Sequence, residues 1–148
     1  MGAPFAAIAS FAQLFNGNIG AMLVNVPKLG QPNLYGYKYD QLNRIVQMDA
    51  FKDLNAETNN YTAAPTKIGD YHEEITYDPN GNIKNYLRNG DSRSLPMDKL
   101  GFNYVANTNK LNYVTDAVTV ATPADYNDIK SQSPNNYAYD DIGKPYQR

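Results

Sequence analysis

One block recurs along this chain: Tyr-Asp, a short polar stretch holding Asn or Gly, then a branched aliphatic residue. That recurrence restricts the fold more than any other feature. Tyr37-Lys38-Tyr39-Asp40-Gln41-Leu42-Asn43-Arg44-Ile45 and Ile75-Thr76-Tyr77-Asp78-Pro79-Asn80-Gly81-Asn82-Ile83 are its fullest copies. Phe102-Asn103-Tyr104-Val105-Ala106-Asn107-Thr108-Asn109-Lys110-Leu111 is a third copy without the aspartate. Tyr137-Ala138-Tyr139-Asp140-Asp141-Ile142-Gly143-Lys144 is a fourth, and Asn16-Gly17-Asn18-Ile19 matches the second half of the block. The key tyrosines at 39, 77, 104 and 139 are 38, 27 and 35 residues apart, within the range of repeat architectures.

Each copy has a physical reading. Aromatic–x–Tyr alternates with period two, which puts both rings on one face of a strand and the intervening residue on the other. Asp78-Pro79-Asn80-Gly81 is a turn: the aspartate accepts from backbone two residues on, proline presets φ, and Gly81 supplies the left-handed conformation. Asn43 replaces glycine in the first full copy, being the next best residue at positive φ. Asn82-Ile83-Lys84-Asn85-Tyr86-Leu87-Arg88 is then the return strand and Asn89-Gly90 another turn. The predicted fold is all-β: consecutive antiparallel hairpins forming a curled sheet strip, since an isolated hairpin is marginal in water.

The organisation that follows is an apolar segment over 1–15 and a repeat region over 16–148, with units near 16–26, 35–52, 72–90, 100–120 and 136–146. Met1–Phe15 is expected to be a buried strand or short helix over an open edge, or an interface; it lacks the basic start of a secretory signal. The stretches 53–70, 91–98 and 123–136 read as polar linkers, with a brief helix starting near Asp125-Tyr126-Asn127-Asp128-Ile129. Lys144-Pro145-Tyr146-Gln147-Arg148 leaves almost no return strand, so the chain is expected to stop inside a repeat. Open sheet edges are a liability, so further sequence or a partner chain is expected to continue or cover them.

Composition agrees. The 148 residues hold 13 Tyr, 19 Asn, no Trp and no Cys, and mean hydropathy is -0.60 despite a hydrophobic fraction of 42%. Tyr and Asn favour strands and tight turns. Without cysteine there is no disulfide framework, thiolate metal site or thiol nucleophile. A net charge of -2 without a basic run argues against nucleic acid, and no stretch approaches a membrane span.

These residues resemble the Tyr-Asp (YD) repeats of the Rhs family, whose units read roughly Tyr-x-Tyr-Asp-x-x-Gly-Asn/Arg-Leu/Ile. The match is close at 37–45 and 75–83, partial at 137–143 and degenerate at 102–111. The order of blocks is also similar to that in Rhs proteins of Bacteroidetes-type bacteria: Asn16 to Met22, Tyr37 to Ile45, Tyr77 to Gly90, Met97 to Leu100, then Lys110 to Asp116. The motif positions are Tyr37, Tyr39, Asp40, Tyr77, Asp78, Gly81, Asn82, Tyr104, Tyr137, Tyr139, Asp140 and Gly143.

The resemblance implies a secreted or surface-displayed bacterial β shell that encloses a C-terminal polypeptide, often a toxin, with flanking repeats as partners. A full shell needs more repeats, and no toxin segment follows Arg148, so a shell fragment is expected. Asp78-Pro79-Asn80-Gly81 has the letters of the family's self-cleaving aspartyl block but lies in an ordinary repeat.

No catalytic, cofactor or metal site is expected. His72, the single histidine, has no nucleophile motif to serve and reads as a polar residue entering a strand. Glu73 and Glu74 are adjacent and would face opposite sides of a strand. Asp78, Asn80 and Asn82 alternate like calcium ligands, but Gly81 is at the fourth position and Asn89 at the twelfth, which fits a plain turn. Asn60-Tyr61-Thr62 is a glycosylation sequon expected to carry nothing in a bacterial chain. The alternative to packing for the tyrosine rows is a platform for glycan or a partner protein.

Overall fold

The computed structural model describes residues 14, 16–26, 32–55, 60–119 and 128–147. Among them the protein is all-β, as the hairpin pattern predicts, and no helix is long and apolar enough to cross a membrane. The strands are β1 (Ala21–Val24), β2 (Asn33–Tyr39), β3 (Ile45–Asn55), β4 (Asn60–Tyr77), β5 (Ile83–Arg88), β6 (Asp98–Tyr104), β7 (Leu111–Asp116), β8 (Tyr137–Tyr139) and β9 (Pro145–Gln147). Hydrogen bonding joins β1 to β7 in sequence order, while β8 and β9 form a separate ribbon. The chain divides into two compact units, 1–73 and 74–148.

In the first unit, β1 pairs antiparallel with β2 from Ala21↔Gly36 to Val24↔Asn33, and β2 with β3 from Leu34↔Phe51 to Tyr39↔Ile45. The register shifts between Lys38 and Tyr39, so the strand leaving the Asp40 turn carries an extra residue. Such a bulge strengthens twist and re-aims the side chains beside it. Leu34 and Ala50 are completely buried here, and Phe51 nearly so.

In the second unit, β5 pairs with β6 from Asn85↔Gly101 to Arg88↔Asp98, and β6 with β7 from Leu100↔Asp116 to Tyr104↔Leu111. The same shift recurs between Asn103 and Tyr104, one residue before the degenerate turn. Met97, Leu100, Val114 and Ala138 form the apolar core.

Three expectations are corrected. The stretch 53–70 is not a linker throughout: β3 reaches Asn55 and β4 begins at Asn60. Its Pro, Gly and Asp disfavour strand locally, but strand pairing overrides propensity where neighbouring ladders take the backbone groups. The brief helix near 125–129 falls mostly outside the described residues, and Asp128 and Ile129 are not helical. The last turn does have a return strand, the three-residue β9, paired from Tyr137↔Gln147 to Tyr139↔Pro145. The expectation for Met1–Phe15 lies, apart from Leu14, outside the described residues.

The outer edge of β7 is covered by the chain itself. Val114 N–H donates to Gln132 Oε1 at 2.9 Å, and Gln132 N–H donates to Val114 O at 2.8 Å. Asp116 N–H donates to Ser131 Oγ and Asn135 N–H to Asn112 Oδ1, at 2.8 and 2.7 Å. An irregular segment thus takes the role of an eighth strand, protecting an edge that would otherwise invite aggregation.

Candidate functional site

The repeat block builds one local device three times. Asp40 Oδ1 accepts from Leu42 N–H at 2.9 Å and Arg44 N–H at 3.0 Å. Asp78 Oδ1 accepts from Asn80 and Asn82 N–H, both at 2.9 Å, and Asp140 Oδ1 from Ile142 and Lys144 N–H at 3.1 and 2.7 Å. The turn closes when the fourth residue donates its N–H to the aspartate carbonyl: Asn43 to Asp40, Gly81 to Asp78, Gly143 to Asp140. Those donors sit at φ 61°, 91° and 82°, the left-handed conformation expected of Asn43 and Gly81. One carboxylate oxygen thereby satisfies two amides that a bare turn would leave to water. In the degenerate copy Thr108 substitutes: its hydroxyl donates to Val105 O at 2.9 Å and accepts from Lys110 N–H at 3.1 Å.

The second tyrosine of a block does something the sequence pattern does not announce. Tyr39 O–H donates to Ile19 O, Tyr104 O–H to Ile83 O, and Tyr139 O–H to Leu111 O, each at 2.9 Å. In every case the acceptor is the first aliphatic residue after the preceding turn, so the phenol clips one hairpin to the hairpin before it. A half-buried tyrosine needs such an acceptor for its polar tip. Asparagines add a second link: Asn16 and Asn18 Nδ2 donate to Asn43 Oδ1 at 2.7 and 3.3 Å, and Asn82 Nδ2 to Asn109 Oδ1 at 2.9 Å. The remaining motif residues support the turns and rings. Asn82 Nδ2 also reaches Asp78 Oδ2 at 2.9 Å, Tyr137 Oη accepts from Gln132 Nε2 at 3.1 Å, and Lys110 Nζ lies 5.3 Å from the Tyr139 ring centre. Tyr37 and Tyr77 are half-buried at the ends of β2 and β4.

Removing a clip isolates its worth. Tyr104→Phe is expected to keep the ring and lose about 1 kcal/mol, the net value of one hydrogen bond. Urea unfolding of the full chain measures it, and an unchanged midpoint would show that the clip does not stabilise the fold.

Electrostatics follow the hydrogen bonds. The Arg44 guanidinium, then Arg44 N–H, hold the Asp40 carboxyl below the usual carboxylate range. The Asn82 carboxamide, helped by the Asn82, Asn80 and Gly81 amides, does the same for Asp78 against the opposing effect of burial. Burial pushes the Tyr37 and Tyr104 phenols up, with Tyr39 and Asp78 respectively adding to it. A carboxyl whose folded pKa is depressed contributes stability that is complete above its unfolded value, about 4, and lost as pH falls through the folded one. The thermal midpoint should therefore drop as pH is lowered below about 4. Asp78→Asn should make that drop shallower; an identical pH slope would remove Asp78 from the account.

Two further polar junctions were not anticipated. On β3, Asp49 Oδ1 lies 2.7 Å from both Lys67 Nζ and His72 Nδ1, and Gln47 Nε2 donates to Oδ2 at 2.8 Å. Burial raises the Asp49 pKa, but bonds from Lys67, Gln47 and His72 outweigh it and the carboxyl ends below its ordinary value. His72 is thus no simple strand-entry residue; it is half-buried within β4 and turned onto a carboxylate from β3. A cavity of about 490 Å³ lies alongside, walled by Gly36, Tyr37, Lys38, Asp49, Phe51, Pro65 and Lys67.

In the second unit the Arg88 guanidinium grips completely buried Asp98 Oδ2 with Nε at 2.7 Å and Nη2 at 2.5 Å. Asp98 Oδ1 accepts from Ile129 N–H at 3.0 Å. One oxygen each of Asp98, Asp116 and Asp128 lie within 4.8 Å of one another, the one such grouping among the described residues. Asp116 Oδ1 already takes the Lys99 and Val118 amides, and Lys130 pairs with Asp128. Arg88 and Lys130 thus bring positive charge to two of the three carboxylates, those of Asp98 and Asp128.

No protein-family model matches the chain, and no curated protein matches it.

Proposed function

We propose that this chain is a non-catalytic segment of an Rhs-type β shell, exported or displayed by a bacterium, that encloses or presents a polypeptide. The observation that carries the reading is the recurrence of the clip among the described residues: Tyr39 to Ile19, Tyr104 to Ile83 and Tyr139 to Leu111. These phenols are spent on joining successive hairpins, as an extended scaffold needs, and their hydroxyls are not left over for a ligand.

The competing reading is a glycan- or partner-binding β module. Its support is the cavity in the first unit, where Tyr37 and Phe51 offer apolar walls beside Lys38, Asp49 and Lys67. The deciding experiment expresses the chain together with the coding sequence that flanks it and follows limited proteolysis of any polypeptide downstream of the repeats. Protection that is lost when Tyr104 and Tyr139 are both changed to Phe supports the shell. Immediate cleavage of that polypeptide, or glycan-array binding abolished by Tyr37→Ala, would overturn it.

A further inference from the structure

The chain holds three Asn-Gly pairs: Asn16-Gly17, Asn80-Gly81 and Asn89-Gly90. In such a pair the glycine amide nitrogen can attack the asparagine Cγ, because no side chain on the glycine hinders its approach. A bond forms between the glycine nitrogen and Cγ, and the Cγ–Nδ2 bond breaks. The amide proton leaves with Nδ2 as ammonia, and water then opens the cyclic imide to aspartate or isoaspartate. The attacking nitrogen must be available, so a hydrogen bond from that N–H has to open before the reaction starts.

The structure treats the three glycines differently. Gly81 N–H donates to Asp78 O at 3.0 Å, and Gly90 N–H to Ser94 O at 2.9 Å in a buried position. Gly17 occupies the same place as Gly81 in a half-copy of the block, with Leu14 where the aspartate would be. Its amide has no hydrogen-bond partner among the described residues. Its φ is 85° and the space beside its Cα is open. Asn16 is exposed, and its Oδ1 accepts from Asn18 N–H at 3.1 Å, which folds the carboxamide back over the backbone that carries Gly17.

We propose that Asn16 is a spontaneous deamidation site of the folded protein, with water as co-reactant, and that the complete turns protect Asn80 and Asn89. The product matters for the repeat linkage. Conversion removes the Nδ2 that donates to Asn43 Oδ1 at 2.7 Å and puts a carboxylate in its place.

The test holds the full folded chain at mildly alkaline pH and quantifies aspartate and isoaspartate at the three sites by peptide mass spectrometry, with a parallel sample in urea. Asn16 is expected to convert roughly tenfold faster than Asn80 or Asn89 in the folded sample, the effect of one hydrogen bond that must open first. In urea the three rates should converge, and Gly17→Ala should slow conversion at Asn16. Equal rates in the folded chain, or a preference for Asn16 that survives in urea, would overturn the proposal.

Discussion

Replacing Asp98 with alanine should destabilise the protein by about 3 kcal/mol, more than any single change in the repeat motif. The carboxylate is completely buried and receives both a two-nitrogen grip from Arg88 and the Ile129 amide. Its removal takes from the guanidinium the carboxylate it grips and from the Ile129 amide its acceptor. Broken buried ion pairs cost about 3–5 kcal/mol. The lower end applies because the Arg88 side chain is 28% exposed and water recovers part of the loss. For a domain of this length that is a fall of very roughly 10 °C in Tm. A double change, Asp98→Ala with Arg88→Met, should recover stability relative to Asp98→Ala alone, because it also removes the guanidinium that has lost its buried carboxylate. A midpoint shift under about 1 kcal/mol for Asp98→Ala would mean that the pair is not the fastening its geometry describes.

The contrast between Asp98 and Asp78 shows what this sequence discloses. Asp78 lies within four residues of every atom that defines its turn, so its role can be read from Asp-Pro-Asn-Gly. The same locality made Gly81, Asn43 and the hairpins legible. Asp98 takes one partner ten residues upstream and another 31 residues downstream, and neither spacing belongs to a local motif. His72 meets an aspartate 23 residues away on β3, a separation that belongs to no local motif. The tyrosine clips are an intermediate case. The ring positions repeat visibly, but the carbonyl that each hydroxyl finds is 20, 21 or 28 residues back and depends on hairpin stacking. The threonine of the degenerate turn was hidden for another reason: hydroxyl for carboxylate is a functional substitution that letter-by-letter comparison scores as a loss.

Leu34 is where pattern reading and packing part most clearly. In Asn33-Leu34-Tyr35-Gly36-Tyr37-Lys38-Tyr39 the tyrosines draw attention to one face, yet they are only half-buried. The opposite face holds Leu34, completely buried and in register with Leu23 on β1 and Phe51 on β3. A single leucine among tyrosines is a weak hydropathy signal, but its cross-strand neighbours on both sides are apolar, and such pairs are the unit of sheet stability. Leu34→Ala should therefore cost about 3 kcal/mol, the sum of lost transfer energy and the cavity left between flanking strands. Leu42→Ala provides the control: that side chain is 68% exposed on the Asp40 turn, and its truncation should stay within about 0.5 kcal/mol of wild type. Urea midpoints of the two variants, at equal m-value, separate the readings. If both shift equally, the first unit is held together by its tyrosine face and not by the Leu23, Leu34 and Phe51 row.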